Sequence, residues 1–442
     1  MVIILGCCIV FITMKPKQSL IPIWLLCAAM LQAATLQAAT TVTQVATVSE
    51  DSLFLKSDGS VWVMGFFGTN RPVQIISNGV VAIAGGNVQE YYLKSDGSLW
   101  EYDVGQIASN VISIAQSCAS SDCLFIKADG SLWALGWNGF GQLGDGTFNN
   151  ATTPEEIVAS NVVACAAGPV DNLFIKSDGS LWGMGRNDDG ELGDGTTNDV
   201  ILPEEIASSG VIAAAVGSFN SLFLKSDDSL WGMGGNESGE LGDGTYNEIN
   251  EPKQIVSNGV VAISCGVSHS LFLKSDGSLW GMGDKGFGQL GDGTLGNPPI
   301  YATNQPEEIV SSNVVAISGG VYDSFFIKSD GSLWAMGINE FGGLGDGFTN
   351  YTSLLPEQIV PAPRPILMNK ILSNTNLQFK ATCLFGGTFY VLTSTNLAQP
   401  LSEWKPVWTN SVSARGTNNF CATLTNAVNS SAGQQFYILQ SQ

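Results

Sequence analysis

Seven equivalent positions in the sequence carry side chains that could bind a cation. Each lies two residues before a Leu-Phe pair or its equivalent: Asp51, Gln89, Asp122, Asp171, Asn220, His269 and Asp323. If these residues surround one end of a channel, the four carboxylates among them would favour a metal ion or a Lys or Arg side chain there. The alternative is that each short polar side chain bonds backbone amides of its own glycine-containing turn.

A second motif, Leu-Gly-Asp-Gly, places an aspartate between glycines in five places. These aspartates are Asp145, Asp194, Asp243, Asp292 and Asp346. Calcium takes about six to eight oxygen ligands, and neither the EF-hand order nor a tandem nine-residue calcium repeat is present. We therefore favour a turn in which the aspartate bonds its own backbone. Because the chain has one histidine and zinc sites usually draw on clustered Cys and His, we expect no metal and no cofactor.

Conventional catalytic motifs are missing from the sequence. There is no GxSxG elbow, no phosphate-binding GxxxxGK, no HExxH and no second histidine. Carboxylates that converge across a channel, as in glycosidases, stay open as an alternative. The sequence favours a protein that is not an enzyme.

Aromatic residues in the predicted loops are candidates for binding a partner, because each buries a large area with few rotamers to freeze. Phe140, Phe287 and Phe341 occupy equivalent positions, which predicts a packing role. The better candidates vary between units: Trp137, Tyr246, Tyr301 and Tyr351.

These residues are positioned by a hairpin that recurs along the chain. In SLFLKSDGSLWGMG, residues 270–283, two apolar runs flank an Asp-Gly pair that suits a type I′ turn. Equivalent tryptophans follow each other at spacings of 38, 33, 49, 49, 49 and 54 residues: Trp62, Trp100, Trp133, Trp182, Trp231, Trp280 and Trp334. Repeats of this length bury their faces against neighbours. The pattern predicts an all-β chain that forms a seven-bladed β-propeller over residues 40–360.

The stretch VVAISCGVSHSLFLKSDGSLWGMGDKGFGQLGDGT, residues 260–294, resembles the repeat of the regulator-of-chromosome-condensation family. The resemblance implies seven blades. It does not fix the function, because relatives include a nucleotide exchange factor for a small GTPase, ubiquitin-ligase modules, a plant light receptor and secreted bacterial β-lactamase inhibitors.

The ends of the chain differ from the repeats. Residues 1–39 contain Lys15 and Lys17, an apolar stretch and small residues, which predict a signal peptide and a secreted, periplasmic or cell-surface protein. A transmembrane anchor is the alternative. Residues 361–365 (PAPRP) predict a stiff linker, and residues 366–442 predict a small β-sandwich that could attach the protein to a cell surface.

Charge limits the partners. The chain has 18 basic and 39 acidic residues, and removal of the two leader lysines leaves a net charge of −23. Such a surface repels phosphate, so nucleic acid is not expected as a partner. Six cysteines remain after cleavage, and in an oxidising compartment Cys118 with Cys123, or Cys383 with Cys421, could pair.

The favoured function is a secreted scaffold that binds a protein of unknown identity. An inhibitor of a secreted or periplasmic enzyme, and a propeller that binds or processes carbohydrate, are the alternatives. Units one and two lack the long loops of the other five, which predicts a low sector on one face. We expect Trp137, Tyr301 and Tyr351 to flank that sector, and its acidic surroundings to suit a basic partner.

Overall fold

The computed structural model describes the chain in segments. These are residues 2–5, 8–11, 40–48, 51–65, 69–86, 89–115, 121–296, 301–349, 351–362, 366–373, 376–383, 387–394, 405–412, 418–424 and 436–441. Most of the predicted signal peptide, residues 12–39, and most of the predicted linker, residues 363–365, lie outside them. The chain divides into two compact units: residues 41–362, and residues 1–40 with 363–442. Within the described segments, no helix is long and apolar enough to span a membrane.

Every element in the described segments is a strand. Two strands precede the repeats, β1 (Val2–Leu5) and β2 (Cys8–Phe11). The strands of blades 1 to 3 are β3 (Val42–Thr47), β4 (Ser52–Lys56), β5 (Val61–Gly65) and β6 (Thr69–Ile76); β7 (Val80–Gly85), β8 (Glu90–Lys94), β9 (Leu99–Glu101) and β10 (Gly105–Ala108); and β11 (Val111–Ala115), β12 (Asp122–Lys127), β13 (Leu132–Gly136) and β14 (Ala151–Val158).

Four further blades repeat the same order. Their strands are β15 (Val162–Ala167), β16 (Asp171–Lys176), β17 (Leu181–Gly185) and β18 (Val200–Ala207); β19 (Val211–Val216), β20 (Asn220–Lys225), β21 (Leu230–Gly234) and β22 (Ile249–Val256); β23 (Val260–Cys265), β24 (His269–Lys274), β25 (Leu279–Asp284) and β26 (Ala302–Val310); and β27 (Val314–Gly319), β28 (Asp323–Lys328), β29 (Leu333–Ile338) and β30 (Thr352–Val360). Each blade is a four-stranded antiparallel sheet of consecutive strands.

The ring closes between blades 7 and 1, so the predicted seven-bladed propeller is confirmed. The first strands of all seven blades line a central channel that contains an open volume of about 220 Å³. At the closing interface, Phe325 and Leu333 of blade 7 pack with Phe54 and Met64 of blade 1 in one buried cluster. Because the other interfaces bury equivalent clusters, closure needs no strand exchanged between blades.

The hairpin turn differs from the expected type. In blade 1 the Gly59 N–H donates to the Lys56 carbonyl (2.9 Å) and the Lys56 N–H to the Ser60 carbonyl (2.9 Å). Only Gly59 has a positive φ, +77°. The predicted type I′ turn, which needs two such residues, is therefore wrong, and the turn is a three-residue loop with glycine at its left-handed position. Asp228 occupies that position in blade 5, with φ +62°.

Each recurring tryptophan packs between aromatic and cationic neighbours on its own blade. Trp62 stacks on Phe54 with ring centroids 6.1 Å apart, and Lys56 Nζ lies 4.0 Å from the Trp62 ring. The indole N–H donates to Ser60 Oγ (3.0 Å). The other six blades repeat the ring stacking and the lysine contact. The tryptophans are half-buried, whereas the stacked phenylalanines are fully buried.

Packing between blades uses the loop glycines, not the strand glycines. The strand glycine Gly281 makes room for Ile309 and Leu290 of its own blade. The buried Met282 packs against Gly242, the first glycine of the Leu-Gly-Asp-Gly motif in the preceding blade.

The C-terminal unit contains two sheets. The strands are β31 (Ile366–Ser373), β32 (Asn376–Cys383), β33 (Gly387–Ser394), β34 (Lys405–Val412), β35 (Asn418–Leu424) and β36 (Phe436–Ser441). One sheet has the order β31-β32-β35 and the other β2-β1-β36-β33-β34, in which β1 and β2 come from the predicted signal peptide. The sandwich and the signal peptide stay predictions.

The thiols do not follow the suggested pairings. Cys123 is free and buried, as is Cys265, and Cys165 is free and half-buried; Cys118 lies outside the described residues. In the pairing of β32 with β35, Cys383 faces Asn418 and Cys421 faces Lys380. Three positions along a strand amount to about 10 Å, which is farther than a disulfide spans.

Candidate functional site

One end of the propeller carries all the long loops. Successive strands of a blade are antiparallel, so the turn after the first strand and the loop after the third emerge at the same end. We call this end the loop face. The hairpin turns, such as residues 57–59, lie at the opposite end.

The loop after the third strand is held by a buried asparagine. In blade 4, Asn187 Nδ2 donates to Asp194 Oδ1 (3.0 Å), and the Leu192 N–H donates to Asn187 Oδ1 (2.9 Å). The Thr196 N–H donates to Asp194 Oδ1 (2.7 Å). Equivalent bonds to Asn138, Asn236 and Asn339 hold the loops of blades 3, 5 and 7. The interpretation of these aspartates as turn residues is confirmed, and no group of side chains in the described segments is arranged to hold a metal ion.

Blade 6 replaces this asparagine with Lys285. Its Nζ donates to Asp292 Oδ2 (2.7 Å) and Glu307 Oε2 (3.1 Å). Burial lowers the pKa of Lys285, but its bonds to the two carboxylates outweigh burial, and the pKa is raised. The ion pairs of Lys285 therefore hold the blade 6 loop, as the asparagine side-chain amide holds the other four long loops.

Each long loop is hydrogen-bonded to the outer strand of the next blade. In all five, the N–H of the second glycine of the motif donates to a carbonyl of the next outer strand, at 2.7 to 2.9 Å. The pairs are Gly146 with Ile201, Gly195 with Asn250, Gly244 with Asn304, Gly293 with Leu354, and Gly347 with Asn70. The last pair crosses from blade 7 to blade 1. The loops therefore join adjacent blades as well as forming the surface.

Blades 1 and 2 have no such loop. Between its third and fourth strands, blade 2 has only Tyr102, Asp103 and Val104, a tight turn in which Asp103 has φ +62°. The outer strands of blades 2 and 3 consequently receive no loop from the preceding blade. We call this uncovered part of the loop face, formed by residues 101–104 with Trp137 and Thr152, the vacant sector.

The four predicted partner-binding aromatics all lie on the loop face and are exposed. Trp137 is 36% exposed and contacts Phe140 edge-on, with centroids 5.5 Å apart. The other three are exposed by 37% (Tyr246), 46% (Tyr301) and 59% (Tyr351). Trp137 begins the blade 3 loop and belongs to the vacant sector, whereas the Tyr351 ring lies 6.4 Å from the Phe287 ring of blade 6.

The aromatic residues of blade 7 nearest blade 1 are Phe341 and Phe348. Phe341 precedes Gly342, which lies against Asn70 of blade 1. Phe348 follows Gly347, which lies against Arg71 of blade 1. Phe341 was expected to be a packing residue, but it is 52% exposed, so this expectation is wrong. Its equivalents Phe140 and Phe287 are half-buried.

The seven polar positions lie at the start of the second strands, close to the interfaces between blades. Five are buried: Asp122, Asp171, Asn220, His269 and Asp323. Asp51 and Gln89 are half-buried. They do not line the channel volume. The buried five thus offer almost no surface to a cation in the channel.

The buried polar positions bond to the next blade. His269 Nε2 and Ser324 Oγ are 2.9 Å apart, and Asn220 Nδ2 donates to Ser270 Oγ (3.1 Å). Asn172 Nδ2 donates to Asp122 Oδ2 (2.8 Å). These contacts show that the positions join blades, a role that neither sequence interpretation had assigned to them.

Burial shifts the pKa of these groups toward their neutral forms. It raises the pKa of Asp323 to about 7 and lowers that of His269 to about 4. Burial, with the nearby Glu191 carboxylate, raises the pKa of Asp171 well above its usual range. Burial therefore favours the neutral forms of Asp171 and His269, as suits a polar layer in a protein interior.

Comparison with known proteins agrees with this geometry. Models of the regulator of chromosome condensation (RCC1) repeat match residues 129–169, 178–224, 227–273 and 260–289. This is an RCC1-repeat propeller. The search of curated protein sequences finds no significant match.

Several solved structures share the fold. Prp20p from Saccharomyces cerevisiae has a TM-score of 0.54 and 18% identity, over 63% of this chain and 80% of that chain; its description covers binding to Gsp1p and histones. Human WBSCR16 has a TM-score of 0.53 and 18% identity, over 75% and 84%. Yeast RCC1 (Prp20) bound to Kap60 has a TM-score of 0.51 and 18% identity, over 72% and 75%.

Sequence reasoning missed the residues that distinguish the vacant sector of this RCC1-repeat propeller. Tyr102 and Val104 are 36% and 69% exposed, and Glu90 is half-buried beside them. A sequence signal for the sector did exist. The residue two after each tryptophan is Met wherever the preceding blade has a long loop, but it is Tyr102 in blade 2 and Leu135 in blade 3.

Proposed function

We propose that this RCC1-repeat propeller is a secreted, non-enzymatic scaffold that binds a protein partner through its loop face. The observation that carries the proposal is the unequal loop face. Four of the five hydrogen-bonded long loops, those of blades 3, 5, 6 and 7, carry exposed aromatic residues, and blades 1 and 2 have no long loop. Exposed aromatics on a rigid frame are typical anchors of protein interfaces, because little conformational entropy is lost on binding.

The chemistry of the interior supports a scaffold over an enzyme. The single histidine is buried, has its pKa lowered to about 4, and bonds across a blade interface to Ser324. Asp122 and Asn220 also bond between blades. These groups stabilise the ring, and we assign them no catalytic role.

The structural relatives support protein binding as the class of function. Prp20p is described with binding to Gsp1p and histones, and yeast RCC1 was solved with Kap60. The partner of the present chain is a different question, since the likeness is one of fold. We propose a partner outside the cytoplasm, from the leader-like residues 1–39, and a basic protein rather than nucleic acid, from the net charge of −21.

The test is a Trp137→Ala, Tyr301→Ala, Tyr351→Ala triple variant. The immobilised propeller captures partners from the secreted fraction, and captured proteins are identified and quantified. A matched control replaces three exposed apolar residues at the opposite end, Val163, Ile212 and Val315. Both variants must melt like the wild type.

We expect the loop-face variant to lose about tenfold or more in capture, since anchor truncations commonly cost more than about 1 kcal/mol each. The control variant should retain the same partner. Undiminished capture by the loop-face variant, or equal loss in both, contradicts the proposal.

A further inference from the structure

The vacant sector carries carboxylates that have no cation. Glu90, Glu101 and Asp103 form no ion pair with any Lys or Arg in the described residues. Burial and the neighbouring carboxylates of Asp51 and Asp103 raise the pKa of Glu90 to about 7. The sector therefore holds like charges that repel each other in the free protein.

Some acidic residues elsewhere on the loop face are paired within the chain. Arg186 Nη1 lies 3.6 Å from Glu191 Oε1, Lys253 Nζ 2.6 Å from Asp243 Oδ2, and Lys285 Nζ 2.7 Å from Asp292 Oδ2. Blades 4 to 6 thus each supply a cation to a loop-face carboxylate, whereas no cation in the described residues pairs with Glu90, Glu101 or Asp103.

Apolar and backbone groups are uncovered beside these carboxylates. Val104 is 69% exposed and Tyr102 is 36% exposed. The Thr152 carbonyl of blade 3 is equivalent to the Ile201 carbonyl of blade 4. The Ile201 carbonyl accepts a hydrogen bond from the Gly146 N–H in the loop of the preceding blade. No loop from blade 2 reaches Thr152, because that blade turns back at Asp103.

We propose that the vacant sector is the docking surface for a basic segment of a protein partner. A Lys or Arg side chain pairs with Glu90 and Asp103, and an adjacent apolar side chain packs on Val104 and Tyr102. The partner's backbone N–H bonds the Thr152 carbonyl, in place of the missing loop. The charge complementarity selects a basic segment rather than a second copy of this acidic chain. This inference rests on the proposed function and names the chemistry of its partner.

The experiment uses a fluorescein-labelled peptide of alternating Lys and Leu as the probe. Its fluorescence anisotropy is measured against the full chain at low ionic strength. The test variant is Glu90→Gln with Asp103→Asn. The matched control is Glu237→Gln with Glu248→Gln, which removes the same charge from exposed positions of blade 5. Thermal melting checks that both variants are folded.

We expect saturable binding to the wild type, about fivefold weaker binding to the test variant, and unchanged binding to the control, as two local charge pairs predict. Equal weakening in both variants shows attraction by net charge alone and overturns the inference. Absence of saturable binding to the wild type also overturns it. If a native partner is lost by the triple aromatic variant but retained by Glu90→Gln with Asp103→Asn, the proposed function stands and this inference fails.

Discussion

Ring closure includes one contact that can be perturbed from both sides. Gly345 of blade 7 has φ +77°, and a β-carbon there would overlap Met64 Sδ of blade 1 and lie 2.8 Å from its Cγ. Gly345→Ala should therefore incur two costs. A left-handed alanine costs about 1 to 2 kcal/mol, and overpacking of a buried contact adds about 1 to 3 kcal/mol. Gly79→Ala is the matched control, because Gly79 has φ +87° and nothing within 4 Å of the added carbon.

Met64→Ala removes the other half of the contact. Met64 is fully buried, so we expect a loss of about 2 to 5 kcal/mol. In the double variant Gly345→Ala with Met64→Ala, the vacated space accepts the new methyl group. The double variant should accordingly be less destabilised than the sum of the two single variants.

Urea denaturation of the four variants measures these free energies of unfolding. Gly345→Ala should be clearly less stable than Gly79→Ala. Equal stability of these two variants, or strict additivity in the double variant, would refute the closure of the ring through Met64 and Gly345.

Two further predictions concern stability. Asp228→Gly should stabilise the protein by up to about 1 kcal/mol, since a non-glycine residue holds φ +62° in that turn; a lower melting temperature would count against the turn geometry. Raising the pH from 5 to 8 should destabilise the propeller, because Asp323, Glu191 and Glu240 keep a proton to about pH 7 when folded and release it near pH 4 when unfolded. His269 acts in the opposite direction between pH 6.5 and 4 but is one group against three. In this pH range the contribution of Asp323 is about 3 kcal/mol at most. If the melting temperature of Asp323→Asn falls with pH as steeply as that of the wild type, the prediction is contradicted.

The repeats were predictable from sequence because each blade is a local unit. The tryptophan spacing and the Asp-Gly turns lie within one blade, and they predicted the number of blades and the hairpins. The turn type was wrong because an Asp-Gly pair suits two kinds of hairpin loop. The three-residue loop is stabilised here by bonds from the Ser60 N–H and hydroxyl to Asp58 Oδ1, at 3.0 and 2.6 Å.

Contacts between blades were harder to predict. His269 pairs with Ser324, 55 positions along the chain, and no local pattern marks the pair. Met64 and Gly345 are in contact although almost the whole propeller sequence separates them. The methionine pattern indicates such contacts only when the residue two positions after each tryptophan is compared with the length of the loop in the preceding blade. Glu90 and Asp103 were missed because their proposed role depends on the short turn of blade 2, which leaves them without a covering loop.

Hydrogen exchange of the propeller, alone and in complex with its captured partner, tests the central claim most directly. Binding through the loop face predicts slowed exchange in peptides covering residues 101–104, 137–140 and 351–353. Peptides that cover the hairpin turns at the opposite end, such as residues 57–59 and 275–277, should exchange as before. Protection confined to the hairpin turns, with none on the loop face, would contradict the account.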